Sequence, residues 1–155
     1  MRREILLNPG PVTLSDRVRA AMMKPDLCHR EKEFATLSLQ ILEMVGKVYP
    51  EATDFQPVLL TGSGTAAVEA MLQSFASATK KTLIVANGVY GERMATMLTR
   101  QGKPFELIKG EWTEGLNLKA TEAALVAAPG AYAAIATVHH ETTTGRLNDL
   151  APLAE

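Results

Sequence analysis

The sequence predicts an α/β protein with a layered α/β/α arrangement, in which helices cover a mostly parallel sheet. Apolar runs of strand length alternate with helical patterns after residue 57. The runs are almost continuously apolar, as in strands that are buried on both faces. No internal repeat or low-complexity segment interrupts this order. With 155 residues, 46% of them hydrophobic and 21% charged, the chain has the size and composition of one globular domain.

Two helices are predicted before the strands. Ser15 is a suitable N-cap for a short helix that reaches Lys24, where Pro25 ends it. A second helix runs from Glu31 to Val48 and carries apolar residues at three-and-four spacing. Four strand–helix units then follow: PVLLTG with a helix from Ser63 to Phe75, TLIVAN with a helix ending at Gly102, PFELIKG with NLKATEAALVAA, and AYAAIATVHH with a helix that begins at Asn148 or Asp149.

Charge and cysteine content exclude several classes of function. A formal net charge of −1 gives no electrostatic reason to expect a nucleic-acid or membrane partner. Cys28 is the single cysteine, so no internal disulfide forms and a reducing compartment is expected. The apolar run at the N-terminus is too short for a signal peptide, and no segment has the length of a transmembrane helix. The sequence therefore predicts a cytoplasmic protein.

Polar or glycine-rich turns follow three of the predicted strands: TGSGT, NGVYG and HHETTTG. In an open parallel sheet, ligands bind outside the carboxyl ends of the strands. This arrangement puts Ser63, Gly64 and Thr65, then Tyr90, then Thr142 to Thr144 along one edge of the sheet. A ligand site is predicted there.

The Gly62–Thr65 turn is suited to one phosphate group. Its glycines let the backbone come close, and the following helix offers unpaired N–H groups and a positive dipole end. It lacks the lysine of a Walker loop and the third glycine of a dinucleotide fingerprint. A well-capped helix without a ligand is the alternative, and the turn alone leaves both open.

Tyr90 has two interpretations, and the histidines are considered as metal ligands. Tyr90 is suited to stacking on a flat cofactor, or it simply covers the sheet edge. His139 and His140 are adjacent on a strand and point to opposite faces, so they do not form a shared metal site. No metal is predicted, and Cys28 is interpreted as a loop cysteine.

Five motifs resemble the class V aminotransferases, which are pyridoxal-phosphate enzymes of fold type I. LLNPGPV, DLCHREKEF, LLTGSGTAAVEAML, VANGVYGERM and VHHETTTGRL occur in the order seen in that family. They are similar to the branch with 2-aminoethylphosphonate:pyruvate, alanine:glyoxylate and serine:pyruvate aminotransferases. ETTTGRLN is most similar to the first of these.

The resemblance implies roles for particular residues. Ser63, Gly64 and Thr65 match the turn that binds the phosphate of pyridoxal 5′-phosphate. Tyr90 matches the aromatic residue that stacks on the pyridine ring, and Thr142 matches the hydroxyl residue beside the ring and substrate.

Substrate binding is implied for two further positions. Gly10 lies where the family brings its N-terminal segment near the substrate, and Thr143 is the alternative to Thr142. No catalytic residue is expected in this chain, because the Schiff-base lysine and the aspartate that pairs with the ring nitrogen lie beyond Glu155 in the family. The chain is accordingly interpreted as an inactive N-terminal fragment, with residues 1–30 as an N-terminal segment and 31–155 as part of the large cofactor-binding domain.

The resemblance implies amino transfer from a small-molecule amino donor to a 2-oxo acid acceptor in a homodimeric parent enzyme. The first choice is 2-aminoethylphosphonate and pyruvate, giving phosphonoacetaldehyde and alanine, a step of phosphonate degradation. Two alternatives remain: alanine or serine with glyoxylate or pyruvate, and a protein that binds a phosphate-bearing ligand without catalysis.

Overall fold

The computed structural model describes residues 5–154. The chain divides into two compact units, Met1–Thr61 and Gly62–Glu155. This division falls at a different position from the predicted segments 1–30 and 31–155, which stay a prediction. No helix in the described part of the chain is long and apolar enough to cross a membrane.

The first unit contains both predicted N-terminal helices. α1 spans Asp16–Ala21, and the Ser15 hydroxyl accepts a hydrogen bond from the Val18 amide, as the sequence predicted. α1 ends before the predicted Lys24. α2 spans Lys32–Gly46 and none of its residues is fully buried, so the described residues cover its apolar stripe only in part.

The second unit is built on a three-stranded parallel sheet. Its strands are β1 (Lys81–Ala86), β2 (Phe105–Lys109) and β3 (Tyr132–Thr137), in the order β2–β1–β3. The helices are α3 (Gly64–Phe75), α4 (Val89–Arg100) and α5 (Leu118–Ala127). The chain crosses the sheet in one direction from β1 to β2 and in the other direction from β2 to β3. Right-handed crossovers therefore place α4 and α5 on opposite faces of the sheet. The predicted α/β class is confirmed.

The core lies between the sheet and the α3–α4 pair. Ile84 of β1 and Leu98 of α4 are fully buried there, and Leu72 of α3 is 4% exposed. β1 is buried along Thr82–Ala86 because it is the central strand. β2 and β3 are only partly buried, since each has a neighbouring strand on one side alone.

Helix ends are set by local chemistry. The Gly102 backbone is left-handed at φ 66°, and the amides of Gly102 and Lys103 donate to the carbonyls of Thr99 and Leu98. This is a Schellman ending, which glycine favours because it has no Cβ to clash. The Lys103 ammonium also donates to the carbonyls of Gln73 and Ala76 at the end of α3, at 2.5 and 2.6 Å.

Two predicted elements differ from the structure. PVLLTG is not a strand: no described strand pairs with residues 57–62, and Val58 is 77% exposed. An apolar run becomes a strand only where a neighbour accepts and donates its backbone hydrogen bonds. The predicted last helix is only a short 3₁₀ turn, Ala151–Leu153. Two antiparallel strands of two residues each precede it, β4 (His140–Glu141) and β5 (Arg146–Leu147).

A charged cluster lies at the amino ends of the strands. The Lys81 ammonium and the Tyr132 hydroxyl donate to the Glu106 carboxylate, at 3.0 and 2.8 Å. These bonds hold the pKa of Glu106 below its usual value, with the Lys81 bond the larger cause, and they raise the pKa of Lys81 and of Tyr132. The cluster is at the opposite end of the sheet from the predicted site.

Candidate functional site

A cavity of about 510 Å³ opens at the carboxyl end of β3. Four of the predicted cofactor residues line it together: Gly64, Thr65, Tyr90 and Thr142. They come from the start of α3, the start of α4 and the β4–β5 loop. Residues distant in sequence therefore meet at one sheet edge, and the cavity has the size typical of small-molecule sites.

The start of α3 presents backbone donors to this cavity. The Ser63 hydroxyl accepts from the Ala66 amide at 3.3 Å and so acts as the N-cap. No described group accepts from the amides of Gly64 and Thr65, as expected for the first turn of a helix. A Cβ on Gly64 would meet no atom within 4 Å, so the space beside this backbone is open. The turn is suited to an anion.

Ser63 itself does not line the cavity. Its oxygen serves the helix cap, which is the ligand-free reading of this turn. Its O–H proton remains a donor, so its predicted contact with a phosphate stays a prediction.

Tyr90 supplies an aromatic surface to the cavity. The side chain is 39% exposed. The Arg93 guanidinium carbon lies 4.8 Å from the centre of the ring, which is a cation–π contact on one face. Both residues line the cavity. Arg93 thus occupies one face of the ring, and a flat ligand that stacks on Tyr90 would use the other face.

The loop between β4 and β5 separates its threonines. Thr142 lines the cavity, whereas the Thr143 hydroxyl donates to Glu141 Oε1 at 2.6 Å. The Thr144 hydroxyl donates to the Glu141 carbonyl at 3.2 Å. Thr142 is therefore the loop threonine that meets the cavity, and the alternative role of Thr143 in substrate binding stays a prediction.

Glu141 is a buried carboxylate that the sequence analysis did not single out. Its exposed fraction is 0%. Oε2 accepts from the Tyr90 amide at 3.1 Å, and Oε1 accepts from the Thr143 hydroxyl. Gly88 leaves the room for it, since a Cβ there would lie 2.3 Å from Glu141 Cγ. A glycine at a helix start, without a capping side chain of its own, was the signal that an acceptor comes from elsewhere.

A buried amide pair is bonded to the cavity lining at Val138. Asn87 and Asn148 exchange side-chain hydrogen bonds of 2.8 and 3.1 Å, and Asn148 also donates to the Val138 carbonyl at 2.7 Å. Asn148 was one of two predicted N-caps, and this is wrong because its side chain is committed here. Asp149 is not the N-cap either: Leu150 holds that position, and the Asp149 carboxylate accepts from the Ala151 amide at 3.1 Å.

Other sequence candidates fall outside this arrangement. His140 lines the cavity and His139 does not. Among residues 5–154, no three histidine, cysteine or acidic side chains lie close enough to hold a metal ion. Cys28 is exposed. Gly10 lies in an exposed turn of the first unit, and its substrate role stays a prediction.

Comparison with known proteins shows what this chain is similar to. No family model matches it. The 2-aminoethylphosphonate–pyruvate transaminase of Vibrio vulnificus strain YJ016 is 36% identical over 151 residues, which cover 97% of this chain and 41% of that enzyme. The chain thus spans about two fifths of the length of this curated relative, a share consistent with the predicted N-terminal part.

Solved structures agree on the fold. The aspartate aminotransferase of subgroup IV from Thermus thermophilus superposes with a TM-score of 0.86 at 28% identity, over 97% of this chain and 41% of that one. The alanine–glyoxylate aminotransferase from Nostoc sp. gives 0.84 at 29% identity, over 97% and 39%. Along nearly its whole length, this chain is therefore similar in sequence to 2-aminoethylphosphonate–pyruvate transaminase and similar in fold to solved aminotransferases.

Proposed function

We propose that this chain forms the phosphate-binding and ring-stacking part of a pyridoxal 5′-phosphate site in an aminotransferase. The observation that carries the proposal is one cavity lined by Gly64 and Thr65, at the start of α3, and by Tyr90. The helix start is suited to an anion and the tyrosine to an aromatic plane. Pyridoxal phosphate has both in one molecule.

Each residue has a task that follows from its chemistry. The amides of Gly64 and Thr65, with the positive end of α3, bind the phosphate dianion. The hydroxyls of Ser63 and Thr65 add donors to it. Tyr90 stacks on the ring through the face that Arg93 leaves free, and the hydroxyl of Thr142 orients the ring's polar edge.

The bound cofactor supplies an electron-withdrawing ring that stabilises negative charge on the substrate carbon bearing the amino group. No lysine lines the cavity in the described part of the chain. The lysine and the ring-nitrogen aspartate, which the family resemblance puts after Glu155, therefore stay predictions. The chain's own residues are proposed to bind and orient the cofactor.

We infer that the full-length protein transfers the amino group of 2-aminoethylphosphonate to pyruvate, because its 36%-identical relative from Vibrio vulnificus carries that name. A homodimer and the cytoplasm as its location belong to the same proposal. The second candidate is transfer between alanine or serine and glyoxylate, which the likeness to the Nostoc enzyme favours. Amino transfer measured with each donor separates the two: no activity with 2-aminoethylphosphonate refutes the first.

Gly64 offers a direct test of the cofactor site. In the full-length protein, Gly64→Val is expected to weaken pyridoxal phosphate affinity by about tenfold or more, since one lost hydrogen bond to a charged group has that effect. A Cβ there meets no protein atom within 4 Å, so thermal stability should change little. Absorbance titration measures the affinity. Gly115→Val, at an equally open glycine, is the matched control, and equal affinities in both variants would refute the site.

A further inference from the structure

Glu141 joins the two parts of the site that face the ring of the proposed cofactor. Its side chain contacts the start of α4, which carries Tyr90, and the threonine loop, defined as Thr142–Thr144. These segments are 51 residues apart in the chain. One carboxylate is therefore shared between the stacking residue and the hydroxyl loop.

The start of α4 depends on this acceptor. The N-cap, Gly88, has no side chain, and the cap makes no side-chain hydrogen bond. Glu141 Oε2 instead accepts from the Tyr90 amide at 3.1 Å. A carboxylate also interacts favourably with the positive end of a helix. Glu141 thus replaces the missing capping side chain and fixes the backbone of Tyr90.

The threonine loop depends on the other oxygen. Glu141 Oε1 accepts from the Thr143 hydroxyl at 2.6 Å and from its amide at 3.4 Å. The Glu141 carbonyl accepts from the amide and the hydroxyl of Thr144, both at 3.2 Å. Thr142, which lines the cavity, lies between these fixed points.

Burial makes the arrangement rigid. Glu141 is fully buried, so water does not replace a lost partner, and a buried polar group without a partner is costly. Gly88 lies so close that any larger residue would displace the carboxylate. The side chain therefore has little freedom to move away from either segment.

We propose that Glu141 is a positioning residue that holds Tyr90 and Thr142 at a fixed separation, so that both contact pyridoxal phosphate. This inference rests on the proposed function. Glu141 acts through the Tyr90 amide and the threonine loop, and it does not line the cavity. A purely structural carboxylate would contribute to stability alone.

The coupling is tested without cofactor, by amide hydrogen exchange in the full-length protein. Glu141→Gln keeps the shape but cannot accept at both ends, since its amide nitrogen only donates. Exchange of at least one of the Tyr90 and Thr143 amides is expected to speed up about tenfold or more, because the single acceptor oxygen of glutamine serves only one of the two ends. Unchanged exchange at both amides overturns the inference.

The effect on cofactor binding is measured by titration and by the circular dichroism of the bound cofactor. Glu141→Gln is expected to weaken affinity about tenfold and to change the dichroism, which reports the ring's surroundings. Ile84→Ala is the control, because this core residue is fully buried and does not line the cavity. If Ile84→Ala, at an equal loss of thermal stability, changes affinity and dichroism as much, Glu141 is structural only.

The two proposals fail in different ways. A wild-type protein that does not bind pyridoxal phosphate refutes the proposed function and the cofactor-facing part of this inference, while the exchange rates still decide whether Glu141 couples the two segments. A wild-type protein that binds it, with Glu141→Gln binding equally well, overturns this inference and leaves the proposed function standing. Rescue of the dichroism in Glu141→Asp would show that the carboxylate, and not the length of the side chain, is what matters.

Discussion

The amide pair of Asn87 and Asn148 should be one of the most sensitive points of the fold. Both side chains are buried, at 2% and 4% exposure. Asn148→Ala removes three side-chain hydrogen bonds: two with Asn87 and one with the Val138 carbonyl. Of the partners that remain, Asn87 is buried and Val138 is half-buried, so water has little access to the groups that lose their bonds.

The size of the effect follows from this count. At about 1 kcal/mol for each net hydrogen bond, Asn148→Ala should lower the free energy of unfolding by about 3 kcal/mol. Asn117→Ala is the matched change, since the exposed Asn117 makes one capping bond, to the Ala120 amide at 3.1 Å. Losing that cap costs about 1 kcal/mol. The two asparagines should therefore differ by about 2 kcal/mol.

Urea unfolding of the full-length protein, followed by circular dichroism, measures both variants. The double variant with Asn87→Ala and Asn148→Ala adds a second check. The two hydrogen bonds between these side chains are counted twice in the sum of the single variants but are lost only once in the double variant. Its cost should be about 2 kcal/mol less than the sum of the single costs. Equal costs for Asn148→Ala and Asn117→Ala, or full additivity in the double variant, would refute the reasoning.

Two further predictions concern packing and pH. Gly91→Ala should destabilise the protein by about 1–3 kcal/mol, because the new Cβ would lie 2.6 Å from the Cβ of Ala86. This loss is expected although alanine is the better helix former, and thermal unfolding measures it. The Lys81 bond holds the pKa of Glu106 below its usual 4.5 in the folded protein, so its stabilising contribution is present above that pH and is lost as the pH falls through the lowered pKa. Glu106→Gln should therefore lose less stability than the wild type on acidification, as urea midpoints along a pH series would measure.

Each of these has a control in the same unit. Gly115→Ala introduces a Cβ into open space, so it should not destabilise the protein, and an equal loss there would contradict the packing argument. Glu122→Gln removes an exposed carboxylate of α5 that makes no ion pair among the described residues. If it changes the acid limb of the pH series as much as Glu106→Gln does, the cross-strand bond is not the cause.

Local patterns predicted most of the second unit. The alternation of apolar runs and helical patterns predicted the three strands of the parallel sheet and three helices, and Ser63 and Gly102 marked helix ends by ordinary capping chemistry. The rule that ligands bind at the carboxyl ends of parallel strands brought Thr65, Tyr90 and Thr142 together. Periodicity and turn chemistry were enough because these features depend on near neighbours in the sequence.

Features that depend on distant partners were not predictable. Asn148 lies 61 residues from Asn87, and nothing in the sequence around either residue indicates the other. Glu141 was visible only as one acidic residue after two histidines, although it connects two halves of the cavity. PVLLTG has the composition of a strand, but composition cannot supply the neighbouring strand that it needs.

Lys103 has a consequence for how the cavity changes width. It follows the Schellman ending of α4 and donates to the last carbonyls of α3, so both helices are fastened together at the ends remote from the cavity. Each has 12 residues and is therefore about 18 Å long. A rotation of about 3° about the fastened end moves a helix start by about 1 Å. A change of about 1 Å in the gap between Gly64 and Tyr90 therefore requires only a small angular displacement of α3, with the bonds that join the two helices left intact.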